Sequence, residues 1–138
     1  MIKDDEKILE KMDKCILSSY GHCGLDWTTT LLDNHKEILI MPAFSFFRCF
    51  YYIKTFNKKF DVENKDISNK EISKEFSRLF KKDPRQNNQK RKFLFKKKDF
   101  DAFETYLTKW LNYSKINNIY KKIFLGIYYA FSKVCKID

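Results

Sequence analysis

The sequence predicts an all-α protein, a compact bundle of five or six helices around an aromatic-rich central helix. Glycine occurs three times and proline twice in 138 residues, whereas strands joined by tight turns use both residues freely. Apolar residues recur at spacings of three and four along most of the chain, which is the period of an amphipathic helix. The length suits one domain with its own core, so we expect residues 1–138 to form a single helical domain.

The first two helices are predicted in the N-terminal third of the chain. Residues 4–20 carry apolar side chains at helical spacing and acids in the first turn, where the helix dipole favours them. A second helix is expected after Asp26, a capping residue, with Ile38 and Leu39 at the end of its apolar face. Three successive threonines weaken this second prediction, because β-branched residues favour strands.

The third predicted helix is the most apolar stretch of the sequence. Residues 42–57 begin with a proline, which suits the first turn of a helix, and contain AFSFFRCFYYIKTF. Apolar side chains surround most of its circumference, and a helix of that kind is normally buried on all sides. We therefore expect this helix to lie at the centre of the bundle.

The clearest local signal is a helix start at Ser68. Ser68 and Glu71 have the spacing of a capping box, in which each side chain accepts a hydrogen bond from the other residue's backbone N–H. Ile67 and Ile72 flank it as a hydrophobic staple. The apolar stripe predicted for this helix consists of Ile72, Phe76, Leu79 and Phe80.

Two further helices are predicted at the C-terminal end, over about 99–114 and 115–136. The first should direct Phe100, Phe103, Leu107, Trp110 and Leu111 inward. The buried face predicted for the second comprises Ile116, Ile119, Tyr120, Ile123, Phe124, Ile127, Tyr128, Phe131 and Cys135, with lysines mostly opposite. Gly126 lies mid-helix, where glycine costs stability, so we expect another helix to approach closely there.

The charge of the chain is strongly uneven. The net charge is +10, made up of −3 in residues 1–40, +3 in 41–80 and +10 in 81–138 when the charged residues of the sequence are counted. Lysine supplies 24 of the 28 basic residues, and an AT-rich genome alone would favour lysine. Codon bias acts uniformly along a chain, however, so the gradient itself indicates one region that faces a polyanion.

That region is a predicted basic loop at about 81–98, KKDPRQNNQKRKFLFKKK. Clustered lysine and arginine bind phosphates by replacing counterions, which requires density of charge and no fixed spacing. The predicted nucleic-acid-binding residues are Lys81, Lys82, Arg85, Lys90, Arg91, Lys92, Lys96, Lys97 and Lys98. Phe93 and Phe95 lie between two basic triplets and either anchor the loop to the core, which we favour, or stack on unpaired bases.

Enzyme signatures are absent from the sequence. It contains no phosphate-binding glycine loop and neither an HExxH nor a GxSxG motif. The acid-x-Lys pairs Asp5/Lys7 and Glu63/Lys65 are no more frequent than composition predicts. Cys15, His22, Cys23 and His35 do not have the ligand spacing of a zinc site, and Cys23 with His35 does not make a supported nucleophile and base. We expect a protein that is not an enzyme and holds no metal or cofactor.

The sequence therefore favours a non-enzymatic, sequence-nonspecific binder of RNA or DNA, such as a small helical subunit of a ribonucleoprotein complex. The alternative is a protein-interaction module, such as a phage or pathogen factor, that binds an acidic protein surface. The N-terminus lacks the apolar run of a signal peptide, and the four cysteines form no CxxC pair, so we expect a cytoplasmic protein with free thiols. The last helix is basic and amphipathic, but its apolar face is needed for the core, and we expect no membrane contact.

Overall fold

The computed structural model describes residues 2–14, 32, 38–39, 67–81 and 95–136. These residues form four α-helices and, within the described ranges, no strand, which confirms the helical class. The helices are α1 (Ile2–Lys11), α2 (Asn69–Lys81), α3 (Lys97–Tyr113) and α4 (Ile119–Cys135). The predicted central helix at 42–57 lies outside the described residues.

Among the described residues, the buried side chains belong mainly to α2, α3 and α4. The largest fully buried side chains among them are Trp110, Phe76, Phe80, Phe103 and Phe131.

The α2 and α3 helices run antiparallel. Hydrogen bonds link the start of α2 to the end of α3, where Asn69 Nδ2 donates to Asn112 Oδ1 at 2.8 Å, and the end of α2 to the start of α3, where the Ser77 hydroxyl donates to the Phe100 carbonyl at 3.3 Å. The C-terminus of α2 and the N-terminus of α3 therefore meet at the same end of this helix pair.

The helix start at Ser68 is confirmed. The Ser68 hydroxyl accepts a bond from the Glu71 backbone N–H at 3.3 Å, and the Glu71 carboxylate accepts from the Ser68 backbone N–H at 3.1 Å. The carboxylate also accepts the Ser68 hydroxyl at 2.6 Å. These bonds satisfy donors that a helix start leaves unpaired. Ile72 is buried and Ile67 packs against the core, as a hydrophobic staple requires.

The prediction for the first helix was too long. The helix ends at Lys11, and Met12, Asp13 and Lys14 are not helical. The Lys14 ammonium donates to the Glu10 carbonyl at 2.8 Å and to the Met12 carbonyl. The Glu10 carbonyl lies in the last turn and has no partner within the helix, so the Lys14 ammonium satisfies an acceptor that the helix end leaves unpaired.

The predicted C-terminal end of the second helix, which included Ile38 and Leu39, was wrong. Leu32 is helical, but Ile38 and Leu39 are not, and Ile38 is 40% exposed. Leu39 still packs against the core as a partly buried residue.

The last helix starts later than predicted, and its buried face matches the predicted one only in part: Ile123, Ile127 and Phe131 are buried as predicted. Residues 114–118 are not helical, and Asn118 caps α4 by accepting a hydrogen bond from the Lys121 backbone N–H at 2.9 Å. The buried residues of α4 are Ile123, Leu125, Gly126, Ile127, Tyr129, Ala130 and Phe131. The other residues predicted for the buried face are Ile116, Ile119, Tyr120, Phe124, Tyr128 and Cys135, and they are only half-buried. Leu125 and Tyr129 are also apolar, so periodicity alone did not select the face that meets α3.

The close helix approach predicted at Gly126 is confirmed. A Cβ atom added to Gly126 would lie 2.5 Å from Trp110 Cδ1 and 2.9 Å from Leu107 Cδ1. Contacts that short do not occur between non-bonded carbons, so only glycine fits at this crossing of α3 and α4.

Candidate nucleic-acid interface

The described part of the chain contains four of the nine predicted binding residues. Lys81 is the last residue of α2, Lys96 is the N-cap of α3, and Lys97 and Lys98 form its first turn. The predicted loop at 81–98 is therefore too long at both ends. The remaining predicted binding residues, which are Lys82, Arg85, Lys90, Arg91 and Lys92, lie outside the described residues.

Aromatic contacts bring these four lysines to one corner of the molecule. The ring of Phe80, next to Lys81, lies 4.9 Å from the ring of Phe95, next to Lys96. Phe80 also contacts Phe100 at 5.7 Å. We call Lys81, Lys96, Lys97 and Lys98 the basic corner. Two separate helix ends thus contribute positive charge to one surface.

The side chains of the basic corner face solvent. All four lysines are exposed, and within the described residues none of their ammonium groups forms an ion pair. The only contacts of Lys96 at this helix start are made by its backbone: its N–H donates to the Asp99 carboxylate at 2.7 Å, and its carbonyl accepts from the Asp99 N–H at 2.9 Å. The corner is therefore accessible to a polyanion.

The electrostatics of the basic corner oppose the local stability of α3. The N-terminus of a helix carries a partial positive charge from its unpaired N–H groups, and cations there are unfavourable by about 0.3–1 kcal/mol each when exposed. Lys97 and Lys98 occupy this position, whereas most helices place acids there. A phosphate next to this turn would be attracted both by the lysine ammonium groups and by the partial positive charge of the helix N-terminus.

Phe95 anchors the basic corner to the core. Its ring contacts Phe80, Phe100 at 5.3 Å and Phe103 at 5.9 Å, and stacks on Phe131 at 5.7 Å. A ring held among four others is not exposed for stacking on a base. The anchoring interpretation is therefore confirmed for Phe95, whereas Phe93 lies outside the described residues.

The basic face of α4 is not open in the same way, because α1 lies against it. Lys133 Nζ lies 3.0 Å from Asp5 Oδ1, and Lys121 forms an ion pair with Glu10. The Lys115 backbone N–H donates to Glu6 Oε2 at 3.4 Å. The sequence analysis did not predict these ion pairs between α1 and α4. The negative charge of the N-terminal part and the positive charge of the C-terminal part were the signal that could have predicted them.

Two tyrosines on α4 border this contact. Burial raises the pKa of the Tyr128 phenol. The pKa of Tyr129 is also raised, mainly by burial and further by the nearby Asp5 carboxylate, while Lys133 acts in the opposite direction. Tyr128 lines a small groove with Leu9, Met12, Leu39 and Phe124 where the end of α1 meets α4.

Some of the metal, nuclease and membrane features considered from the sequence can be located in the described residues. Among them, no group of three or more His, Cys, Asp or Glu side chains could hold a metal ion. Asp5 of the acid-x-Lys pair lies on a helix and binds Lys133, and the cysteines and histidines weighed as a zinc site lie outside the described ranges. In the same part of the chain, no helix has the length and apolar character needed to cross a bilayer.

Comparison of the sequence and the structure with protein-family models, curated proteins and solved structures finds no significant match.

Proposed function

We propose that the chain is a non-enzymatic, sequence-nonspecific nucleic-acid-binding protein that contacts phosphates through the basic corner. The observation that carries this proposal is the placement of Lys97 and Lys98 at the N-terminus of α3. Cations at a helix N-terminus lower the stability of the helix. Residues that are locally unfavourable for the fold are often found at functional sites. Exposed lysines contact the backbone of a nucleic acid without reading its sequence.

The remaining basic residues of segment 81–98 extend the same surface in the proposal. The segment contains nine basic residues and one acid, and its two ends are held together by Phe80 and Phe95. A bundle of five or six helices around residues 42–57 would present this surface on one side. We propose a small basic subunit of a ribonucleoprotein complex as the biological setting.

The proposal is tested by fluorescence anisotropy with single- and double-stranded DNA and RNA across a salt series. The test variant is Lys97→Gln/Lys98→Gln, and the matched control is Lys70→Gln/Lys74→Gln. Lys70 and Lys74 are also exposed and lie in the N-terminal half of α2, and because α2 and α3 are antiparallel, this half is directed away from the basic corner. The two variants have the same net charge.

We expect the test variant to bind every nucleic acid more weakly than the control. The slope of log affinity against log salt for duplex DNA should flatten by about 1.8, because each lost phosphate contact contributes about 0.9. Replacing Lys90, Arg91, Lys92, Lys96, Lys97 and Lys98 together with Gln should flatten it further, with the helical content retained. Equal binding by test and control variants, or no binding by the parent at low salt, would contradict the proposal.

The second candidate function is binding to an acidic protein surface, and the α1–α4 contact favours it. There, lysines of this chain pair with carboxylates on a helix, as they would with an acidic partner. Purification separates the two functions. A nucleic-acid-binding protein should retain nucleic acid and show a raised 260/280 nm absorbance ratio at low salt, whereas a module for acidic proteins should purify without it.

A further inference from the structure

In the described residues, α1 is held in place by two ion pairs to α4 and by apolar packing of Ile2 and Leu9 against the core. Leu9 is the only residue of α1 that is buried, while Ile8 is 60% exposed. Asp5 pairs with Lys133, and Glu10 pairs with Lys121. The Glu10–Lys121 pair faces solvent, with side-chain exposures of 38% and 51%. Exposed pairs of this kind are weak and are screened by salt.

The acids of α1 are arranged to meet α4 along one face. Asp5 and Leu9 are one turn apart, as are Glu6 and Glu10, so these residues share a side of the helix. Asp5, early in α1, pairs with Lys133, late in α4, and Glu10 pairs with the earlier Lys121. The backbones of the two lysines are about 18 Å apart along the α4 axis and about 120° apart around it. Their ammonium groups converge on two carboxylates that are only one to two turns apart on α1.

We propose that Lys121 and Lys133 of α4 together form a second polyanion-contact surface, and that α1 covers it as an internal competitor whose carboxylates occupy the phosphate positions. This inference rests on the proposed nucleic-acid-binding function. A nucleic acid has a higher density of negative charge than α1, which also carries Lys3, Lys7 and Lys11. Binding at this surface therefore displaces α1, and the cost of displacement lowers the affinity of the parent protein.

The inference predicts that neutralising the two paired acids strengthens binding. The test variant is Asp5→Asn/Glu10→Gln, and the matched control is Asp101→Asn/Glu104→Gln. Within the described residues, the side chains of Asp101 and Glu104 form no ion pair. The control is stringent because Asp101 lies one turn from Lys97 of the basic corner, so its removal also favours anion binding. Both variants change the net charge equally.

Each acid pair is neutralised in the parent background and in a Lys121→Gln/Lys133→Gln background. Binding of a short fluorescein-labelled DNA duplex is measured at one salt concentration, and circular dichroism confirms the helical content of each protein. In the parent background, the gain in affinity of the test variant should exceed that of the control by about two- to thirtyfold, the range expected for one exposed and one partly exposed ion pair. In the lysine-substituted background this excess should disappear.

Hydrogen exchange gives a second readout that does not depend on variants. Addition of the duplex to the parent should accelerate amide exchange in residues 2–11, because α1 leaves α4 when the nucleic acid binds. Equal gains for test and control variants, an excess that persists without Lys121 and Lys133, or unchanged exchange in α1 would each overturn the inference. If the parent binds the duplex and depends on Lys97 and Lys98, such a result leaves the proposed function intact. If none of the proteins binds nucleic acid, both are overturned.

Discussion

The indole of Trp110 packs directly on the backbone of Gly126, at the point where α3 crosses α4. The indole Nε1 donates to the carbonyl of Lys122 at 2.9 Å, one turn before the glycine. Trp110 is fully buried, so this bond satisfies a donor that would otherwise be stranded in the core. The glycine and the indole bond together fix how closely the two helices approach.

Gly126→Ala should destabilise the protein. Alanine would normally stabilise a helix interior by about 1 kcal/mol relative to glycine, but here its Cβ would lie 2.5 Å from Trp110 Cδ1. Overpacking of a core costs about 1–3 kcal/mol, so we expect a net loss in urea unfolding. The loss should be smaller when Trp110 is replaced by phenylalanine. A more stable Gly126→Ala protein would show that the helices separate without cost.

Ser68→Ala should lower the free energy of unfolding by about 1 kcal/mol, because it removes the acceptor for a backbone N–H at the start of α2. Thermal or urea unfolding measures the loss. Ser132→Ala serves as a control, since the Ser132 hydroxyl binds only the carbonyl of Tyr129 within its own helix. An unchanged midpoint for Ser68→Ala would mean that the capping box contributes nothing to stability.

The capping box also predicts a dependence of stability on pH. Hydrogen bonds from the Ser68 hydroxyl and backbone N–H hold the pKa of Glu71 below its ordinary value. The ionised carboxylate therefore stabilises the folded chain above the ordinary glutamate pKa, and this contribution is lost as the pH falls through the lowered pKa. The difference in melting temperature between the parent and Glu71→Gln should shrink over that acid range. A difference that is independent of pH would contradict the assignment.

Phe95→Ala should destabilise the fold by about 2–4 kcal/mol, since a partly buried ring in contact with four others is lost. Binding to nucleic acid, measured under conditions where the variant is still folded, should change little. The reverse pattern, in which stability is kept and single-strand affinity falls, would support base stacking by Phe95. The base-stacking prediction itself remains open for Phe93, which Phe93→Ala tests in the same assays.

Lys97→Gln/Lys98→Gln should leave the protein as stable as the parent or make it more stable. Two cations leave the positive end of the α3 dipole, which is worth about 0.3–1 kcal/mol for each residue at low salt. The gain in the free energy of unfolding should decrease as salt is added, because the charges are exposed. A clear loss of stability would show that these lysines are structural, and the argument for a functional corner would fail.

Local signals in the sequence predicted local structure well. The cap at Ser68 and the close approach at Gly126 each depend on a few neighbouring residues or on one unusual residue, and both are confirmed. The five inward residues predicted for α3 are all buried. Helix ends were predicted less well where a polar side chain such as Lys14 or Asn118 bonds to the backbone at the end of the helix. Many polar residues of the sequence could form such a bond, so the sequence does not show which of them does.

Features that depend on distant residues could not be predicted in the same way. The start of α3 was predicted too late because two lysines at a helix N-terminus are locally unfavourable, whereas the aromatic packing of Phe95 and Phe100 holds that start in place. The Asp5–Lys133 pair joins residues 128 positions apart. Composition gave the opposite charges of the two chain ends, but only the folded chain shows that part of the basic charge is already paired.

The lysines at the start of α3 couple the folding of this protein to the solution around it. The helix terminus exists only in the folded chain, so an anion that binds there stabilises the native state by mass action, by about 2.7 kcal/mol at a concentration one hundred times its dissociation constant. Phosphate and sulfate would then act as ligands in a buffer, whereas chloride would act mainly by screening. If such binding occurs, melting temperatures of this protein would be comparable only between solutions that contain the same anion.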